Sequence, residues 1–142
     1  MVIDDEELEQ DILSLLLEDS GFTVAVAAQG IMPAYDAMRS WVVRGRPEIG
    51  VVFMDLRMPP PNGLDAIKQL AISHPNIVPV VVSGHVSKRD AEACRAAGVE
   101  IILHKPWDDE DIIEALCKAI ALHREKKAVP AYAALSTHED DW

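Results

Sequence analysis

Basic residues and aromatics are both scarce in this chain. Lysine and arginine together number 13, against 24 aspartates and glutamates, for a formal net charge of −11. A surface of that sign repels nucleic-acid phosphates and anionic lipid headgroups, so neither nucleic acid nor membrane is expected as a direct partner, whereas a basic protein is not excluded. Aromatics make up 5% of the chain while apolar residues make up 49%, so the core must be aliphatic. The two cysteines, Cys94 and Cys117, form no CxxC and no His–Cys cluster. A disulfide scaffold and a thiolate metal site are thereby disfavoured, and both thiols, lying inside helical patterns, are expected to be free and buried. No run approaches the roughly 20 apolar residues of a membrane span. The acidic amino terminus lacks a long apolar run, so no export signal is expected. One soluble, cytoplasmic domain is the expectation, since 142 residues hold one domain and little more.

Helix and strand signals alternate along the chain. Met1–Ile3 is a strand stub, shorter than the five or six residues usual for a buried strand. Residues 6–19 place Leu8, Ile12, Leu15 and Leu16 at helical spacing, and Gly21 ends that helix. A strand is expected over Phe22–Ala27, and a helix carries Ile31, Ala34, Tyr35, Met38, Trp41 and Val42. Gly45, Arg46 and Pro47 break it. Ile49–Met54 is continuously apolar, as in a strand covered on both faces. Pro59, Pro60 and Pro61 make a rigid loop before a helix at Leu64–Ser73. Val78–Val82 is the next strand, and Ser87 is a cap for a helix running to Ala97 that Gly98 stops. Ile101–Leu103 is the last strand, and a helix over Asp108–Glu125 follows with acids in its first turn. The pattern is a (βα)5 three-layer sandwich, with residues 126–142 as a tail or linker.

Polar residues follow the apolar runs. Asp4 and Asp5 follow Met1–Ile3, Asp55 follows Val51–Met54, Ser83 follows Val78–Val82, and Lys105 comes after Ile101–His104. If the runs are parallel strands, these groups meet at one sheet edge, outside the strand carboxyl ends, where open α/β sheets place ligands. Clustered carboxylates repel one another and call for a hard cation such as Mg2+. An ammonium and a hydroxyl beside them suit phosphate oxygens. The set reads as a metal-assisted phosphoryl-transfer site in which an aspartate accepts the group.

With Asp4-Asp5, Asp55-Leu56-Arg57-Met58-Pro59, Gly63, Ser83-Gly84 and Lys105-Pro106 in that order, the chain resembles the receiver domain of two-component response regulators. The resemblance implies a flavodoxin-like fold with a parallel five-stranded sheet in the order 2-1-3-4-5 and a receiver domain over residues 1–125. It also implies that Asp55 takes phosphate from a histidine kinase or a phosphotransfer protein. Asp4, Asp5, Asp55 and the Arg57 carbonyl would hold Mg2+. Ser83 and Lys105 would bind the phosphoryl group, with a cis bond at Pro106 aiming the lysine. Phosphorylation would then switch a surface at residues 88–125 toward a second receiver or an output domain. Such a protein catalyses its own phosphorylation and dephosphorylation and is not a turnover enzyme.

Three positions depart from the pattern or modify it. Many receivers carry an aromatic three residues before the lysine, and this chain has Ile102. Arg57 and His85, two residues after Asp55 and Ser83, are expected to overhang the pocket. Two alternatives are a phosphorylation-independent receiver-like module and an aspartate-nucleophile phosphatase. The phosphatase needs an acid two residues after its nucleophile, where Arg57 stands.

Overall fold

A computed structural model describes residues 1–128. Its elements are β1 (Val2–Ile3), α1 (Glu7–Asp19), β2 (Ala27–Ala28), α2 (Ile31–Val43), β3 (Val51–Met54), α3 (Gly63–Ser73), β4 (Val78–Ser83), α4 (Lys88–Ala96), β5 (Ile101–His104) and α5 (Asp109–Ala128). The strands form one parallel sheet in the order β2-β1-β3-β4-β5. The fold is the flavodoxin-like sandwich that the resemblance implied, with β1 as short as expected.

Strand alternation divides the core into two layers. Ile3, Val52, Met54 and Val81 face α2, α3 and α4, where they meet Ile31, Met38, Ile67 and Cys94. Val2, Phe53, Val80 and Val82 face α1 and α5, against Leu13, Leu17, Ile112 and Leu116. Val52, Met54, Val80 and Val81 are almost wholly inaccessible, as central strands of a doubly covered sheet must be.

Several local expectations are corrected. Of the expected α1 stripe, Leu8, Ile12 and Leu15 are exposed and Leu16 is half-buried against the core, while Leu13 and Leu17 fill the core. Both stripes repeat with the same helical period, so spacing does not choose between them. In α3, Ala66, Ile67 and Leu70 lie inside and Ala71 is exposed. Residues 22–26 lack ladder structure: β1 offers partners only at Val2 and Ile3, which pair with Ala27 and Ala28. Cys94 is buried as expected, but Cys117 is exposed because it lies on the outer face of α5, away from Ile112, Leu116 and Ala119. The final helix runs past Glu125 to Ala128, where Lys126 and Lys127 suit the negative end of its dipole. Residues 129–142 of the expected tail lie outside the described residues.

Two junctions fix the elements beside the site. A capping box starts α4: Ser87 Oγ accepts from the Asp90 amide, and Asp90 accepts from the Ser87 amide. At its other end Gly98, with φ of 95°, closes a Schellman turn in which the Val99 amide donates to the Cys94 carbonyl. No helix of the described residues is long and apolar enough to cross a membrane.

Candidate functional site

The carboxyl ends of β1, β3, β4 and β5 bring the sequence-derived residues to one edge. Asp4, Asp5 and Asp55 each offer a carboxylate oxygen within 4.8 Å of the others. Asp4 and Asp55 are buried and Asp5 is half-buried. Backbone amides orient both buried acids: Glu6 N donates to Asp4 Oδ1 at 2.9 Å, and Arg57 N donates to Asp55 Oδ1 at 3.1 Å. Those bonds leave the second oxygens facing Lys105. Its Nζ lies 2.9 Å from Asp4 Oδ2 and 3.3 Å from Asp55 Oδ2, and it also pairs with Glu9. Burial works against the ammonium, but bonds to Glu9 and Asp4 and the charge of Asp55 outweigh it, holding its pKa above the usual lysine range.

Ser83 ends β4 fully buried, and its hydroxyl has no hydrogen-bond partner among the described residues. Its carbonyl accepts from the Lys105 amide at 2.9 Å, which ties Lys105, the residue just past β5, to the end of β4. A buried hydroxyl without a partner costs about 1–3 kcal/mol. The Lys105–Pro106 bond is cis, as is Pro60–Pro61. Ile102 is half-buried against the core on the α2–α3–α4 face.

Gly63 shows how closely the loop after Asp55 is built. A Cβ there would fall 2.1 Å from the Asp55 carbonyl oxygen and 2.6 Å from Leu56 Cα. The first turn of α3 therefore packs directly on the backbone that carries Asp55, and its amide donates to the Leu56 carbonyl. Arg57 turns to α4: its Nη2 is 2.6 Å from Asp90 Oδ2, joining the loop after Asp55 to the start of that helix. Bonds from Ser87, reinforced by Arg57, hold the Asp90 carboxyl below its usual range. His85 and His104 are exposed, and Trp107 is half-buried against the α1–α5 core.

Glu9 is the residue that sequence reasoning missed. It was legible only as one of several acids at the start of α1. A cavity of about 530 Å³ opens here between α1 and the β5–α5 turn, bounded by Asp4, Glu9, Ile12, Asp55, Lys105 and Trp107.

Fold and site together define a doubly wound α/β domain with an acidic, lysine-bearing pocket at its switch edge. The response regulator receiver domain family matches residues 1–117, and the chain belongs to that family. It is 33% identical over 135 residues to the sensory/regulatory protein RpfC of Xanthomonas campestris pv. campestris, covering 92% of this chain and 18% of that protein. It is 30% identical to the transcriptional regulatory protein FixJ of Rhizobium meliloti, covering 83% and 54%. A solved response regulator receiver protein from Pseudomonas putida superposes with a TM-score of 0.69 at 31% identity, over 82% of this chain and 93% of that one. The chain spans about half or less of the length of these curated relatives.

Proposed function

We propose that this receiver accepts a phosphoryl group on Asp55 from the phosphohistidine of a sensor kinase or phosphotransfer protein. The observation that carries the reading is the joint approach of Lys105 to Asp4 and Asp55 beside the unpartnered hydroxyl of Ser83. In the transfer, Asp55 Oδ2 forms a bond to phosphorus as the phosphorus–nitrogen bond breaks, and the histidine nitrogen leaves with the electron pair. Lys105 then serves the phosphoryl oxygens as a point charge, and Ser83 donates to one of them.

Asp4, Asp5 and Asp55 suit a hard divalent cation, for all three offer oxygen within a small span. We assign Mg2+ to them together with the Arg57 carbonyl. When bound, it would neutralise charge on the acids and the transferring group. Arg57 is tied to Asp90 and offers no acid at the position a phosphatase of this type would need. The chain is therefore read as a switch that phosphorylates and dephosphorylates itself, working in the cytoplasm with a tail or linker behind the domain.

The exposed Leu8, Ile12 and Leu15 run along α1 beside the cavity that leads to Asp55, which supports α1 as the approach for the phosphodonor protein. The output face is assigned to residues 88–125, which Ser83 and Lys105 lead into directly. Incubation with acetyl phosphate and Mg2+ should add one phosphate to the intact mass. Asp55→Ala or excess EDTA should abolish that adduct, and an adduct indifferent to both would refute the reading.

A further inference from the structure

We propose that Glu9 is a positioning residue for Lys105, drawing the ammonium toward α1 and thereby limiting its service to Asp55. The inference rests on the reading of Asp55 as phosphoryl acceptor and adds to it a residue that tunes the rate.

Three carboxylates share the Lys105 ammonium, and they are not equivalent. Asp4 and Asp55 are buried at strand ends, each with one oxygen held by a backbone amide. Glu9 comes from a helix, its side chain is 38% exposed, and it makes no other hydrogen bond among the described residues. Its carboxylate is thus the least held of the three, directed at the lysine alone. Nor does it belong to the acid cluster Asp4, Asp5 and Asp55 that suits a cation. An ammonium paired at once with Glu9 and Asp4 is pulled to the β1–α1 side of the pocket, and it stands farther from Asp55 Oδ2, at 3.3 Å, than from Asp4 Oδ2, at 2.9 Å. For Lys105 to follow a phosphoryl group on Asp55, the Glu9 pair must stretch or break. A half-exposed ion pair contributes little to folding, but it sets the starting position of the one cation that the chain itself supplies here.

The alternative is that Glu9 acts only through space, as one more negative charge near an incoming anion. Initial rates of adduct formation from acetyl phosphate with Mg2+ separate the two. In that reaction Asp55 oxygen bonds to phosphorus while acetate leaves with the electron pair. Glu9→Gln weakens the pair by removing its charge, and Glu9→Asp keeps the charge but withdraws the carboxylate by one methylene. Both are expected to react about two- to five-fold faster than wild type. In a Lys105→Ala background Glu9→Gln is expected to change nothing, because the group it positions is gone. A gain with Gln but none with Asp, or a gain that persists without Lys105, would assign the effect to charge alone and overturn the proposal. Unchanged rates in both single variants would overturn it too. If the Lys105→Ala chain reacts too slowly to measure, the Glu9→Asp arm decides by itself. A wild-type chain that takes no phosphate would instead remove the acceptor reading, and this inference with it.

Discussion

Lys105 is the residue on which the site turns, because its one ammonium compensates three carboxylates. Its folded pKa lies above its unfolded value, so its pairing stabilises the fold fully below about pH 10.4 and is lost only as pH rises through the folded value. Through neutral and mildly alkaline solution the site therefore keeps its cation. Lys105→Ala should leave a cooperative fold but lower its stability by about 1–3 kcal/mol in EDTA, since Asp4 and Asp55 stay buried without a counter-charge. Mg2+ should recover part of that loss, and phosphodonor-driven change should be impaired more than melting. Denaturant titration with and without Mg2+ checks this; a chain that fails to fold in both would make Lys105 structural. At this scale the sequence was informative, because Asp55 and Ser83 directly follow apolar strands whose ends coincide in space. Glu9 was hidden because its contact with Lys105 crosses 96 positions of sequence, and no local pattern distinguishes it from Glu6 or Glu7.

Two chain connections lead from the site into the elements beside it. Ser83 leads through Gly84–Ser87 to the capping box of α4, and Lys105 leads through Trp107 into α5. Arg57 adds a third connection by bonding Asp90, so the acceptor loop and the start of α4 are joined before any phosphoryl group arrives. With Ile102 in place of an aromatic latch, the expected rearrangement is modest and begins at this junction. Amide exchange with beryllofluoride and Mg2+ should show altered protection within residues 88–125, strongest near Ser87–Asp90. Changes confined to α1 and α2 would contradict the output assignment. Element order and strand adjacency were legible from the alternating apolar runs. The buried face of α1 was not, since Leu8-Ile12-Leu15 and Leu13-Leu17 fit one helical period equally well. Nor was the short reach of β2, which depends on how few residues β1 presents to it.

For the whole molecule, acids, lysine and hydroxyl make chemical sense only as one assembly. Three buried or half-buried carboxylates close together destabilise a domain unless something positive is drawn to them, and the parallel sheet is what holds them there. The central claim is that this assembly makes one carboxylate, that of Asp55, a phosphoryl acceptor. Borohydride tests it directly, for it reduces an acyl phosphate to the alcohol and leaves free carboxylates untouched. Treat the chain with acetyl phosphate and Mg2+, reduce, digest and sequence the peptides by mass spectrometry. The account predicts homoserine at position 55 and nowhere else, and none when Mg2+ is withheld. Reduction at Asp4, Asp5 or Glu9 with position 55 intact, or a phosphate adduct that resists borohydride altogether, would contradict it.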